Sequence, residues 1–342
     1  MNLTLKDIAQ ALGISITTVS KALKDYKDVN PQTRARVRAY AEQMNFRPNA
    51  QASFLRTQKT GLLGLVVPHY RHDFFNTIVE TLITQAEEHN YRVVVLCSEE
   101  SYEKEKKQIH ELLQLRVDGI FISVAKNTND YQHLKQVLNN KTPLILFDRK
   151  VKLVPTYQVV NNDQEAAYQA TEHLISQGCK KIAHLRGDLM PQISIDRFLG
   201  YKKALEQNQI PYEEDLVAIC SENNFEEGFN SVLKLLEKHP DLDGLFAITD
   251  LVAVGALRAF EERGYRVPED VAVIGFSNWM ISSLITPQLS TVEQNGARIG
   301  KKVLQLFLKT QESDTMEPVT SYVQETVRTQ LLIRASSKRK EI

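Results

Sequence analysis

The sequence lacks the segments that mark membrane, exported and metal-dependent proteins. It has no apolar run of about 18 residues, the length of a membrane-spanning helix, and no signal-peptide-like segment after Met1. Its three cysteines, at 97, 179 and 220, form no C-x-x-C pair, which argues against a disulfide framework or a zinc site. We therefore predict three buried thiols in a cytoplasmic protein that needs no cofactor and no metal.

The sequence also lacks the short motifs of common enzymes. No G-x-G-x-x-G follows a strand-like run, and neither G-x-x-x-x-G-K-[ST] nor H-E-x-x-H occurs. Eight histidines are scattered without a serine or cysteine elbow motif. These absences favour a protein that is not an enzyme, although an enzyme on a Rossmann-like fold stays an alternative that a turnover assay would test.

Charge is divided unevenly along a chain whose formal net charge is zero. Residues 1–60 hold 10 Lys/Arg against 4 Asp/Glu, and residues 61–342 hold 32 against 38. A small basic module on a long neutral chain is typical of a protein that binds a polyanion, but a solvated basic surface explains the excess equally well. The length of 342 residues predicts two or three domains.

The first sixty residues have the capping pattern of three short helices. Thr4 and Asp7 form a capping box, and Gly13 ends the helix that follows it. Ser15 caps a second helix, ITTVSKALKDY, after a turn of only two residues. Asn30 caps a third helix, whose buried stripe is Val37, Tyr40, Ala41 and Met44 and whose outward residues are Arg34, Arg36 and Arg38.

Helix, tight turn and helix is the helix-turn-helix pattern, whose second helix enters the major groove of DNA. Helical spacing turns Ile16, Thr17 and Lys21 toward the groove, and it turns Val19, Ala22 and Leu23 inward. Ser15, Thr18 and Ser20 suit caps or phosphate contacts. A small helical module that binds another protein remains the alternative to a DNA-binding one.

The remaining 280 or so residues alternate strand-like and helical segments. The strand-like runs are LLGLVV, RVVVLC, GIFISV, PLILF, KIAHLRG, GLFAI and VAVIGF. This alternation predicts βαβ units and two doubly wound parallel-sheet lobes, divided near Asn161.

Ligands of such sheets bind beyond the carboxyl ends of the strands, so the residues after each run are the candidates. They are Asp73, Phe74, Phe75, Asp148, Arg149, Asp250, Ser277, Asn278 and Trp279, a mixture of aromatic and polar groups that suits a sugar or nucleobase. Each has a structural alternative: Phe74 and Phe75 as core, Asp148–Arg149 as an ion pair, and Asp250 as a helix cap.

Three runs of the N-terminal segment form a recognisable pattern: LTLKDIAQALGISITTVSKALKD, with the core Thr18-Val19-Ser20, then VNPQTRARV, then MNFRPNAQASFLR. This pattern resembles the DNA-binding headpiece and hinge of the lactose/galactose repressor family. It implies an operator-binding regulator whose DNA contacts are Thr4, Ser15, Ile16, Thr17, Thr18, Ser20, Lys21, Asn30, Thr33, Asn49, Ala52, Leu55 and Arg56. Leu55 stands where relatives insert a leucine into the minor groove, and Phe54 stands where they carry a small residue.

The resemblance continues to about residue 336 and implies a periplasmic-binding-protein-like core. It divides the chain into a helix-turn-helix domain (1–47), a hinge (48–60) and an effector-binding and dimerisation core (61–342). Lobe one would comprise about 61–160 and 291–321, and lobe two about 161–290 and 322–336. The implied effector-binding residues are Phe74, Phe75, Asn162, Arg197, Asn223 and Asp250, which join Asp148, Arg149, Ser277 and Trp279 from the strand ends.

One residue departs from the family pattern. Relatives usually carry an aspartate after Gly-Phe or Gly-Tyr in the strand VAVIGF, and this chain has Ser277 there. Asn223 stands where relatives often place an aromatic residue, and Trp279 can supply the stacking face or be buried core. We therefore expect a homodimeric repressor that binds a palindromic operator and answers to a small sugar-like effector whose identity does not carry over. A periplasmic solute receptor would share the two lobes, and a repressor could also answer to a protein partner in place of a metabolite.

Overall fold

The computed structural model describes residues 3–23, 25–46, 59–70, 72–312 and 321–339. The chain divides into two compact units, Met1–Thr60 and Gly61–Ile342. No helix in the described ranges is long and apolar enough to cross a membrane. The predicted hinge contacts Asn49, Ala52, Leu55 and Arg56, together with Phe54, lie outside the described residues.

The N-terminal unit is a three-helix module made of α1 (Leu5–Leu12), α2 (Ile16–Leu23) and α3 (Pro31–Gln43). The capping box predicted at Thr4 and Asp7 is present, and the Asn30 side chain caps α3. Ile8, Val19, Ala22 and Val37 form its buried centre. α2 is shorter than predicted, because Asp25 adopts a left-handed backbone with φ 59°.

Two predictions for α3 are wrong. Met44 is 46% exposed, and Phe46 packs against the helical core in its place. The Arg34 guanidinium does not point outward, because it donates to the carbonyl oxygens of Tyr26 and Val29 at 3.1 and 3.0 Å. Arg36 remains exposed on the helix surface.

The second unit contains two parallel sheets, which define two lobes. Lobe one has the order β2-β1-β3-β4-β5-β11 and lobe two the order β7-β6-β8-β9. The strands of lobe one are β1 (Leu62–Val67), β2 (Arg92–Cys97), β3 (Gly119–Ile122), β4 (Leu144–Phe147), β5 (Tyr157–Asn161) and β11 (Val323–Val327). Those of lobe two are β6 (Ile182–Arg186), β7 (Val217–Ile219), β8 (Gly244–Ala247) and β9 (Ala272–Ile274).

Helices cover both faces of each sheet. The helices of lobe one are α4 (Asp73–Glu88), α5 (Tyr102–Gln114), α6 (Gln132–Asn139) and α12 (Gly296–Glu312). Those of lobe two are α7 (Asp163–Ser176), α8 (Gln192–Gln207), α9 (Phe225–Lys238), α10 (Asp250–Glu262) and α11 (Ile281–Leu284). Leu63 and Leu65 of β1 pack with α4 and α12, and Val66 packs with α5 on the opposite face. Burial on both faces explains why these strands are continuously apolar.

The predicted lobe boundaries differ from the structure near the C-terminus. They place β11 in lobe two, but β11 pairs with β5 and so covers what would be an open edge of the lobe-one sheet. They place β10 (Thr291–Glu293) in lobe one, but Val292 is buried in lobe two, and β10 pairs with β12 (Gln330–Leu332). α12 does belong to lobe one, as predicted.

Two of the three predicted buried thiols are confirmed. Cys179 and Cys220 are buried, and Cys97 is only partly buried. Burial raises the pKa of Cys179 to about 12 and that of Cys220 to about 11, so both thiols stay protonated near neutral pH.

Candidate functional site

The outer surface of α2 is the candidate recognition surface of the N-terminal unit. Val19 and Ala22 anchor the helix in the core, which leaves Ile16 (49% exposed) and Thr17 on the outer surface, as predicted. Ser15 Oγ accepts the Thr18 backbone N–H at 3.0 Å, so this serine caps the helix. An exposed isoleucine beside threonine hydroxyls can contact thymine methyl groups and polar base edges.

Several predicted DNA contacts already have partners within the module. The Lys21 ammonium donates to the Asp28 carboxylate. Thr4 donates to Asp7, and Asn30 Oδ1 accepts the Gln32 N–H at 2.8 Å. The sequence pattern did not indicate the Lys21–Asp28 pair, because it joins a residue of α2 to the irregular segment between α2 and α3. Thr33 and Ser20 are partly buried in the surface of the module.

The candidate ligand site is a cleft of the second unit, where the strands of both lobes end. Four non-glycine residues just after these strands have left-handed backbones: Asp148 (φ 64°), Asn223 (φ 51°), Ser277 (φ 102°) and Asn278 (φ 48°). Such conformations cost energy and concentrate at functional sites. Seven of the ten predicted effector residues line this cleft: Phe74, Phe75, Asp148, Arg149, Arg197, Asn223 and Ser277.

Lobe one provides an aromatic wall. Phe74 and Phe75 are 7% and 3% exposed. Both residues pack in the lobe-one core and also line the cleft, so the two interpretations of the sequence do not exclude each other. The His69 ring contacts Phe75 edge to face with centroids 5.1 Å apart. His72 lies between His69 and Trp279, with centroid distances of 3.9 and 4.4 Å. Sequence reasoning missed both histidines because no motif surrounds them.

Arg149 is held by Glu100 rather than mainly by Asp148. Its two terminal nitrogens donate to the two Glu100 carboxylate oxygens at 2.7 and 2.6 Å, whereas Asp148 is 3.9 Å away. Burial alone would raise the pKa of Glu100, but Arg149, together with the Lys126 N–H and His69, outweighs burial and lowers it. Burial raises the pKa of Asp148 to about 6, so this carboxyl is protonated in part near neutral pH.

Arg197 lies in the floor of the cleft with most of its donors engaged. Its Nε donates to Asp163 Oδ1 at 2.9 Å, and a terminal nitrogen donates to the Ile248 carbonyl oxygen at 2.9 Å. The guanidinium carbon lies 3.5 Å from the Phe276 ring centroid. Arg197 and Asp163 are 3% and 2% exposed as side chains, so they form a buried ion pair.

Lobe two contributes polar atoms that have no hydrogen-bond partner among the described residues. They are Ser194 Oγ and Asn223 Oδ1, both buried. Gly187 lies between them, and a Cβ on this glycine would be 3.4 Å from each of the two oxygens. The cavity at this point measures about 70 Å³, so the walls contributed by the two lobes lie close together here.

Three predicted cleft residues lie elsewhere. Asn162 Oδ1 accepts both the backbone N–H and the hydroxyl of Thr329, at 2.8 and 3.1 Å. Trp279 is 7% exposed and packs on His72 behind the aromatic wall. Asn162 therefore holds the segment between β11 and β12, and Trp279 supports the aromatic wall from behind. Neither residue lines the cavity.

Asp250 also lies outside the cleft wall, and it is not the helix cap either. The cap of α10 is Thr249, whose side chain accepts the Val252 N–H. The fully buried Asp250 carboxylate accepts from the Thr291 hydroxyl and the Trp279 N–H, both at 2.6 Å. Burial raises the pKa of Asp250 to about 7.

Ser277, which we expected to depart from the family pattern, has a partner within the protein. Its hydroxyl donates to Gln294 Oε1 at 2.6 Å, and the Gln294 amide nitrogen is 3.4 Å from Asn161 Oδ1. The Asn161 amide in turn donates to the carbonyl oxygens of Gln294 and Val327, at 2.9 and 3.0 Å. The chain passes from one lobe to the other three times, after β5, after β10 and after β11. Ser277 therefore begins a hydrogen-bond chain that joins all three crossings, through Gln294, Asn161 and Val327.

Direct contacts fasten the two lobes across the cleft. Lys126 Nζ of lobe one donates to Glu222 of lobe two at 2.7 Å, and Lys150 pairs with Asp196 at 2.5 Å. The Met280 N–H donates to Asp73 Oδ2 at 2.9 Å. The structure therefore has its lobes closed on one another.

Two family models match the chain. The model described as bacterial regulatory proteins of the lacI family matches residues 4–49. The model described as periplasmic binding proteins and sugar binding domain of the LacI family matches residues 60–328. The two matched segments correspond to the three-helix module and to nearly all of the second unit.

Curated relatives match over almost the whole chain. The ribose operon repressor of Halalkalibacterium halodurans is 30% identical over 336 residues, which cover 98% of this chain and 97% of that protein. The transcriptional repressor PurR of Vibrio atlanticus is 29% identical over 310 residues, 90% of this chain and 91% of that one.

Solved structures show the same similarity. The Lac repressor dimer bound to operator and the anti-inducer ONPF superposes with a TM-score of 0.85 at 25% identity, over 98% of this chain and 99% of that chain. The complex of the transcriptional regulator CelR with cellobiose gives a TM-score of 0.73 at 25% identity, over 98% and 100%.

Proposed function

This chain belongs to the LacI family of bacterial regulatory proteins, and we propose that it is a repressor that binds a palindromic operator as a homodimer. We propose further that a small neutral polyhydroxylated molecule, a sugar or sugar derivative, binds in the cleft and changes the affinity for the operator. The observation that carries the second proposal is the pair of unpartnered buried oxygens of Ser194 and Asn223, which converge at Gly187.

On the DNA side, Ile16 and Thr17 would read base edges in the major groove, since they are the exposed residues of α2. Ser15, Thr18, Ser20 and Thr33 would position the helix through phosphates. Lys21 would leave Asp28 for DNA, and Thr4 and Asn30 would act mainly through the helix ends that they cap. Asn49, Ala52, Leu55 and Arg56, which lie outside the described residues, remain our proposal for further DNA contacts.

In the cleft, the charge distribution supports a neutral effector. The three cations have carboxylate partners: Arg149 with Glu100, Arg197 with Asp163, and Lys126 with Glu222. A phosphate or carboxylate ligand would therefore meet no uncompensated positive charge. Asp188, which lines the cleft and has no partner among the described residues, can accept hydroxyl groups, while Phe75 and His69 can stack on a sugar ring.

We infer that the protein is not an enzyme, because the similar curated proteins are transcriptional regulators and the cleft residues are engaged in structural pairs. We propose that it acts in the cytoplasm, where operator DNA is found. The CelR structure, whose ligand is cellobiose, supports a sugar as the class of effector.

The DNA proposal is tested by fluorescence anisotropy on an operator selected from a random pool, at several KCl concentrations. Affinity should fall steeply with salt, because phosphate contacts release counterions. Thr17→Ala should weaken binding roughly 5- to 100-fold on the selected operator and change the salt slope little. Gln43→Ala, an exposed change in α3, serves as the matched control. A salt slope near zero, or equal losses on unrelated DNA, would contradict base reading by α2.

The effector proposal is tested by titrating a panel of sugars, sugar phosphates and nucleobases against the operator complex. A neutral sugar should change operator affinity, and Gly187→Ala should remove that response, because its methyl fills the gap between Ser194 and Asn223. Gly300→Ala places the same methyl in α12, away from the cleft, and should keep the response. A response only to anionic ligands, or one that survives Gly187→Ala, would refute the proposed site.

A further inference from the structure

A second group of metal-ligating side chains lies on lobe two, away from the cleft. Glu213 and Asp215 precede β7, and His239 is in the turn between α9 and β8. These are the amino ends of the two strands, whereas the cleft is at their carboxyl ends. One ligand atom from each of the three side chains lies within 4.8 Å of the other two.

His239 is the buried member of the group. The residue is 6% exposed, and its Nε2 makes no hydrogen bond although Asp215 Oδ2 is 3.0 Å away. A short distance without hydrogen-bond alignment leaves the nitrogen without a directed partner, which is costly for a buried polar atom. The buried Nε2 atom therefore lies within reach of both carboxylates and makes no hydrogen bond of its own among the described residues.

The backbone around His239 is firmly held, so the position from which its imidazole extends is fixed. Its N–H donates to the Leu235 carbonyl oxygen at 2.7 Å, and its own carbonyl accepts the Leu242 N–H at 3.1 Å. The Tyr265 hydroxyl donates to the Pro240 carbonyl oxygen at 2.8 Å. Glu213 and Asp215 are exposed and can change rotamer to meet an ion.

The local charge is negative. Glu213, Asp215 and Asp241 carry three negative charges, and the nearby Lys181 carries one positive charge. Lys181 Nζ is already engaged by both oxygens of Asp241, at 2.8 and 3.1 Å. Two negative charges therefore remain beside the His239 imidazole, which matches the charge of a divalent cation.

We propose that Glu213, Asp215 and His239 bind a divalent transition metal ion. One imidazole with two carboxylates suits Zn²⁺ or Mn²⁺, and it does not suit Ca²⁺, which takes oxygen ligands. Bonds of about 2.0–2.2 Å require the ligand atoms to approach to roughly 3.4 Å, a shift that the two exposed acids can make. The ion would join the segment before β7 to the turn before β8 and stabilise lobe two.

The experiment uses untagged full-length protein, freed of metal with EDTA, in calorimetric titrations with Zn²⁺ and with Mn²⁺. Wild type should bind one ion per chain at this site, and His239→Gln and Asp215→Asn should each weaken that binding at least about tenfold. Zn²⁺ should also raise the unfolding temperature of wild type, followed by Trp279 fluorescence, more than that of either variant.

His110→Gln is the matched control, because His110 is an exposed histidine on α5 far along the chain from the cluster. It should leave the affinity unchanged. If His239→Gln folds poorly, Asp215→Asn and Glu213→Gln, both surface changes, carry the test. Absence of binding at millimolar metal, or equal affinity in wild type and all cluster variants, would overturn the proposal. Operator binding and effector response do not enter these readouts, so the outcome is independent of the proposed function.

Discussion

The buried ion pair in the cleft floor makes a quantitative prediction about the stability of the second unit. Arg197→Met removes the guanidinium and keeps a side chain of similar reach, which leaves the Asp163 carboxylate buried and unpaired. Removal of one partner from such a pair costs about 3–5 kcal/mol. The lost contact with the Phe276 ring adds to this cost, and the Ile248 carbonyl oxygen loses a donor.

Urea unfolding followed by fluorescence measures this cost, because Trp279 is the single tryptophan of the chain and lies in the second unit. We expect the free energy of unfolding to fall by about 3–5 kcal/mol at fixed protein concentration. Asp163→Asn should cost a similar amount, and the double variant should recover about 1–3 kcal/mol of the summed losses.

Arg186→Met is the matched control. Its guanidinium also lies over an aromatic ring, 4.3 Å from the Phe198 centroid, but it has no carboxylate partner among the described residues. We expect a loss below about 1 kcal/mol. If Arg197→Met costs no more than Arg186→Met, the pair is not a major source of stability and the reasoning fails. If it does cost more, loss of effector response in an Arg197 variant cannot by itself identify a ligand contact.

Three further predictions concern other parts of the molecule. The pKa of Asp250 rises from 3.8 to about 7 on folding. The free energy of unfolding of wild type should therefore decline by roughly 4 kcal/mol between about pH 4 and 7, relative to that of Asp250→Asn. If the two proteins show the same pH dependence of this free energy in urea, the prediction is wrong. Gly255→Ala places a Cβ 2.1 Å from the Phe225 carbonyl oxygen, so it should destabilise by about 2 kcal/mol or more in urea, and Gly300→Ala (3.1 Å) by less. Thr4→Ala should cost about 1 kcal/mol and speed hydrogen exchange in Leu5–Leu12; unchanged exchange would argue against the capping box.

Local patterns predict the helical module and the strand ends, because both depend on short-range chemistry. The caps at Thr4 and Asn30 and the inward face of Val19 and Ala22 follow from spacing within one helix. Seven of the ten residues predicted for the effector site line the cleft. Five of them follow from the rule that parallel strands of one sheet end at the same edge, and Arg197 and Asn223 follow from the family resemblance.

Long-range pairing cannot be predicted in the same way. The prediction for β11 is wrong because its pairing with β5 joins residues 166 positions apart, and no local pattern encodes that register. The ion pairs of the cleft cations could not be predicted for the same reason, because Glu100 is 49 positions from Arg149 and Asp163 is 34 positions from Arg197. The sequence therefore indicates which side chains reach the cleft but not which of them are already neutralised.

This distinction bears on how the cleft would transmit a signal. The aromatic wall belongs to lobe one and the unpartnered oxygens of Ser194 and Asn223 to lobe two, so a ligand that uses both stabilises the closed arrangement. Lys126–Glu222 and Lys150–Asp196 already favour closure without a ligand. A ligand shifts such an equilibrium only by its differential affinity for the two arrangements. These ion pairs should therefore tighten ligand binding by raising the closed fraction, and reduce the further change in shape that the ligand can produce.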